Sequence, residues 1–261
     1  MKFIRLATIT ALSTTLFAGG AAVVFADEVK EVTTEGQIKF EADEEGELVI
    51  IPPITEPEVI IPPIVEPVTG PLSILQAPTM NFGSQVISNQ DRTYNMVAEM
   101  ANLADGSGQT PYVSFAQVQD VRGTNAGWDL QVSLSDFKSN TQNNILTGAE
   151  ISLVDSFIRY EGNNPNNAPT NHAAGLKLLP NGAARSVMTA AEGQGAGASS
   201  VVWGDQADLN AQLTAEGFDP ETDVVENKAI QLFIPGATAK DATTYTSTLT
   251  WELTSTPGED A

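Results

Sequence analysis

From residue 80 onward the chain is a succession of short runs in which apolar and polar residues alternate, cut apart by clusters of Gly, Asn and Pro. Residues 80–83, 112–121, 127–137, 151–160, 230–234 and 245–254 fit a two-residue period, which sends successive side chains to opposite faces of a sheet. Breakers such as Asn163-Asn164-Pro165-Asn166-Asn167 and Gly193-Gln194-Gly195-Ala196-Gly197 separate them. Many short strands with few helical patterns predict an all-β, sandwich-like single domain. Hydrophobic residues make up 41% of the chain, enough for a core, and its 21 Gly suit turns. Two segments read as short helices. Met96, Met100 and Leu103 follow helical spacing, and residues 205–216 start at a capping Asp and stop before Gly217.

Charge and residue usage remove most chemistry. The 261 residues hold 12 Lys+Arg against 33 Asp+Glu, for a net charge of −21. Lys2 and Arg5, an apolar stretch over 6–25 and small residues before Ala26 read as a secretory signal peptide cut after Ala26. Its removal leaves 10 basic residues against 33 acids, a charge of −23. Such a surface is unsuited to nucleic acid, which needs clustered cations. No Cys means no disulfide, thiolate or Cys-ligated zinc, and the lone His172 leaves no paired-histidine metal motif. Nucleophile-elbow, P-loop and dinucleotide-binding motifs are missing. Asp129 and Glu252 are a candidate carboxylate pair for glycoside hydrolysis, which needs ~5–9 Å separation, but they are expected to be solvated and apart. Asp219, Glu221 and Asp223 have calcium-loop spacing without a full ligand set. The reading is therefore a non-enzymatic chain with no metal and no cofactor. No second long apolar run and no wall-sorting motif follow the signal, so no membrane insertion is expected after cleavage, and any retention at the surface would be non-covalent.

Residues 27–69 carry 12 acids and 2 bases. Residues 36–42 alternate as a half-buried strand. A ten-residue repeat follows, Val49-Ile50-Ile51-Pro52-Pro53-Ile54-Thr55-Glu56-Pro57-Glu58 and then Val59-Ile60-Ile61-Pro62-Pro63-Ile64-Val65-Glu66-Pro67-Val68. Proline fixes φ and removes donors, so the segment reads as a stiff spacer reaching ~60 Å at ~3.1 Å per residue. The high Ile/Val content keeps open a second reading, a ligand for a groove.

Two strands carry tryptophan. Trp128, Leu130, Val132 and Leu134 share one face of residues 127–134, and Leu249, Trp251 and Leu253 share one face of residues 248–254. Each strand holds a Trp-x-Leu unit with an acid at x, Asp129 or Glu252, turned to the other face. The rings either enter the core or form a joint platform for the apolar faces of sugars. Trp203 has no Leu two residues later and is not a third such unit.

At these residues the chain resembles the WxL-domain surface proteins of low-GC Gram-positive bacteria. The resemblance runs from about residue 33 to 257. It includes Thr34-Glu35-Gly36-Gln37-Ile38-Lys39-Phe40, Gly70-Pro71-Leu72-Ser73-Ile74, Asn81-Phe82-Gly83-Ser84-Gln85, residues 119–128 from Gln119-Asp120-Val121-Arg122 to Gly127-Trp128, Ile234-Pro235-Gly236-Ala237-Thr238-Ala239 and residues 245–253. It implies a secreted protein of the cell wall that attaches by binding peptidoglycan, with Trp128, Asp129, Leu130, Trp251, Glu252 and Leu253 as the binding motif. It also implies a membrane-anchored companion protein on which the domain can dock. Only the acidic, Pro-rich segment precedes the body at 70–261, so no separate adhesin or enzyme domain is expected.

Overall fold

The computed structural model describes residues 37–39, 50–61 and 70–255. The expected signal peptide, most of the strand expected over 36–42 and the second repeat copy from Pro62 on lie outside them. Residues 37–39 of that expected strand are irregular and exposed.

In chain order the strands are β1 (Val59–Ile60), β2 (Leu72–Gln76), β3 (Arg92–Val97), β4 (Glu99–Leu103), β5 (Gln109–Tyr112), β6 (Ser114–Asp120), β7 (Trp128–Leu134) and β8 (Glu150–Leu153). There follow β9 (Phe157–Tyr160), β10 (Thr170–Asn171), β11 (Leu176–Leu178), β12 (Arg185–Ala190), β13 (Gly197–Trp203), helix α1 (Gln206–Leu213), β14 (Glu226–Ile234) and β15 (Leu249–Thr254). The all-β reading holds. Among the described residues the strands form four small antiparallel sheets, ordered β1-β4-β5, β10-β12-β7-β15, β11-β8-β14-β3 and β2-β6-β13-β9.

Two apolar clusters explain why the sheets need one another. Trp128, Leu130, Ile151, Met188 and Ile230 belong to the larger, Tyr112, Phe115, Leu209 and Val225 to the smaller. The sheet holding β6 and β13 lies between them. Neighbours Val201 and Val202 are both buried, one in each cluster, and Phe115 and Ala116 divide the same way. With both faces covered, these strands bury small and polar residues such as Gln117, Ser199 and Ser200 beside their apolar ones and show no clean alternation. A two-residue period therefore does not mark β13, whose start is Gly-rich.

Three expectations change. Residues 96–103 form strands β3 and β4, not a helix. Met96 and Met100 are four apart, a spacing that fits a strand face as well as a helix stripe. Pairing to β14 and β5 decides it, and Met100 is exposed while Met96 is buried. Residues 80–83 are irregular, because the Asn81 side chain accepts the Gly83 N–H at 2.9 Å and draws the backbone into a turn. The run 151–160 is two strands split by Asp155, which takes a positive φ of 52°. The helix near 205 does form, one turn shorter than expected, with the Asp205 carboxylate accepting the Ala207 N–H at 2.8 Å.

The first repeat copy is not a free spacer. The Gln117 side chain accepts the Ile51 N–H at 2.9 Å and donates to the Ile51 carbonyl at 2.7 Å. Tyr112 treats Ile54 the same way, its hydroxyl accepting from N–H at 2.8 Å and donating to the carbonyl at 2.6 Å. Pro52 and Pro53, between these clamps, have no N–H to leave unpaired. Ile50 and Ile54 pack on the smaller cluster, and at the start of the second copy Ile61 does the same while Val59 pairs with Leu103. The segment thus seals a core as a ligand would, but in its own chain.

Burial pushes the Tyr112 hydroxyl up to about 12 from its ordinary 10. Its folded pKa lies above the unfolded one, so this contribution is intact below pH ~10 and fades as pH rises toward ~12. Wild type is expected to lose stability across that window in urea titrations, and Tyr112→Phe to be weaker at neutral pH but flatter above pH ~10. Equal alkaline slopes for the two proteins would contradict the burial of this hydroxyl.

Candidate functional site: the paired Trp-x-Leu strands and the adjoining cleft

The topology makes the two motifs neighbours. β15 runs antiparallel to β7, with Leu253 opposite Leu130, Trp251 opposite Val132 and Thr254 opposite Asp129. The motifs therefore meet through their leucines, and Trp128 lies beyond the level of Trp251. A joint tryptophan platform does not form. Trp128 and Leu130 are completely buried. The indole N–H of Trp128 donates to the Gly195 carbonyl at 3.1 Å. Gly195, at φ 74°, has no room for a Cβ, which would sit 2.6 Å from that indole nitrogen. The glycine cluster read as a separator is thus the cap over Trp128.

Trp251 and Leu253 are half-buried on β15 and pack on the same core. The ring facing Trp251 belongs to Trp203, with centroids 6.4 Å apart and a 54° tilt. Sequence spacing gave no sign of Trp203, because its contact comes from a different sheet.

The acids of the motifs part company. Glu252 is exposed, opposite Gln131. Asp129, expected in solvent, is fully buried. Its carboxylate accepts from Gln131 Nε2 and from Thr189 Oγ1, each at 2.6 Å, and from the Ser186 hydroxyl. Ser186 and Thr189 lie on β12, so Asp129 fastens β12 to β7 by charge-assisted bonds. The approach to Trp128 is fixed in a similar way. Arg122 forks onto both oxygens of Asp120, at 2.9 and 2.8 Å, and its Nη2 also reaches the Gly127 carbonyl at 2.8 Å. The carboxylate raises the pKa of the guanidinium above its usual value. Further along, Asp219 and Asp223 use carboxylate oxygens on backbone N–H groups of their own turn.

Where β7 ends and β15 begins, the sheet opens into a cleft of about 780 Å³. Its floor includes Tyr94, Leu134, Phe137 and Leu249, and its walls are residues 80–87 and 240–247. The second wall is braced. The Tyr245 hydroxyl accepts the Asp241 N–H at 2.9 Å and donates to the Asn143 carbonyl at 2.6 Å. Asn143, through its backbone and side-chain N–H groups, holds the Asp241 carboxyl below the usual range.

An acidic, cysteine-free all-β domain with two adjoining Trp-x-Leu strands, the first buried in its core and the second half-buried on an edge strand beside it, is the class of protein these features define. A family model described as "WxL domain surface cell wall-binding" matches residues 27–257, and the chain belongs to that family. It is a cell-surface, wall-binding domain. Neither the curated proteins nor the solved structures include a match to it. Among the described residues no helix is long and apolar enough to cross a membrane.

Proposed function

We propose that this domain holds its protein on the cell wall without a covalent bond, by binding peptidoglycan, and that it does so without catalysis. The supporting observation is the extent of the family match. A model described as wall-binding covers residues 27–257, so the wall-binding property belongs to this fold as a whole. The charge of −21 argues for peptidoglycan over the polyanionic polymers of the wall, which repel an acidic protein at long range. In this reading the first Trp-x-Leu unit acts by building the domain, since Trp128, Asp129 and Leu130 have no surface to offer a ligand, while Trp251, Glu252 and Leu253 keep some.

The test is sedimentation of the chain from residue 27 onward with purified sacculi stripped of protein and anionic polymer. Saturable binding is expected, with no release of soluble fragments. Raising salt from ~0.15 to ~1 M shortens the Debye length from ~8 to ~3 Å and should leave binding unchanged or stronger. A steep loss with salt would mean that charge attraction holds the complex. No binding to bare sacculi, with binding retained on whole cell envelopes, would replace this reading by docking on a membrane-anchored companion protein.

A further inference from the structure

The cleft beside the paired strands has an unusual balance of groups for so acidic a protein. Its two charged residues are already engaged, Lys240 donating to the Ser88 carbonyl at 2.8 Å and Asp241 accepting from Asn143 at 2.9 and 2.7 Å. The hydroxyls of Ser84, Thr243 and Thr244, on opposite walls, and of Tyr94 on the floor make no hydrogen bond among the described residues. Between them lies apolar surface, including the half-buried Tyr94 ring and the buried Phe137 and Leu134. At the lip Val86 is 90% exposed. Uncharged donors and acceptors around an apolar, aromatic floor match a neutral ligand with both hydroxyl and apolar faces. The volume lies within the ~300–1,000 Å³ typical of small-ligand sites.

We infer that this cleft is a binding site for an N-acetylated glycan segment, with sugar hydroxyls and amides meeting the rim hydroxyls and a sugar face or acetyl methyl on Tyr94 and its apolar neighbours. This rests on the peptidoglycan reading and gives it a location. The ring that carries the stacking is Tyr94, not either tryptophan of the motifs. The described lining carries one cation, Lys240, and one anion, Asp241, so it is neutral in sum and offers no cluster of cations to a polyanion.

The experiment compares wild type, Thr244→Trp, which fills the cleft from an exposed wall, and the milder Thr243→Ala/Thr244→Ala pair. Thermal melts and circular dichroism establish that each remains folded. Binding is measured on sacculi and on glycan strands freed of stem peptides. Two hydrogen bonds of ~0.5–1.5 kcal/mol each correspond to about 5- to 150-fold, so the double Ala variant should lose at least about fivefold on both probes and Thr244→Trp more. Wild-type affinity of both folded variants for sacculi would overturn the cleft while leaving wall binding intact. Binding to sacculi but not to peptide-free strands would overturn the glycan assignment in favour of the stem peptide. Failure of wild type on sacculi would remove the underlying reading and this one with it.

Discussion

Trp128→Ala is expected to destabilise the domain by about 3–5 kcal/mol, the usual cost of emptying a large aromatic from a core. Trp128 is fully buried in the larger cluster, and its loss also leaves the Gly195 carbonyl without its donor. Against a total stability of ~5–15 kcal/mol this is enough to unfold a substantial fraction of a marginal domain. Trp251→Ala should cost less, within the ~0.5–3 kcal/mol of ordinary substitutions, because that ring is half-buried on an outer strand. Urea denaturation of the three proteins, with wall binding measured on the fraction still folded, checks both halves. Normal binding per folded Trp128→Ala molecule is the expected result. A folded, stable Trp128→Ala protein that fails to bind would make this residue part of the contact surface, against its burial.

Arg122→Ala is expected to cost about 3–5 kcal/mol, more than removing the pair together. The Asp120 side chain is 2% exposed and that of Arg122 14%, so deleting the guanidinium leaves a carboxylate in the interior with no cation beside it. The same substitution frees the Gly127 carbonyl, one residue before Trp128, and loosens the turn that delivers the first motif to the core. In Arg122→Ala/Asp120→Ala the stranded charge is gone, and part of the stability should return. A double-mutant cycle by denaturation reads this as a coupling energy. A loss of ~1 kcal/mol or less for Arg122→Ala would place the pair with ordinary surface ion pairs.

These two predictions mark where local pattern and spatial arrangement diverge. Period two in residues 128–134 was sufficient to put Trp128, Leu130, Val132 and Leu134 on one face, and the structure buries all four. The capped helix start at Asp205 was equally legible, because an N-cap uses only neighbours in sequence. Asp129 was not. Alternation turned it away from the core, and nothing local announced that Ser186 and Thr189 of β12, some 57 and 60 residues distant, would close over it. The first repeat copy failed for the same reason. Stiffness followed from its prolines, but attachment came from Gln117 and Tyr112, 66 and 58 residues away from Ile51 and Ile54.

Sequence by itself determined the all-β class, the acidic and cysteine-free character, the two Trp-x-Leu strands and the family they belong to. Each of these depends on composition or on side chains a few residues apart. Tertiary structure alone decided that the motifs meet through Leu130 and Leu253, that Trp203 is the ring facing Trp251, and that a neutral cleft opens at the far end of the same strand pair. Those outcomes depend on which strands pair and which sheets share a core. Strand alternation says which face a side chain takes, and says nothing of what lies across from it.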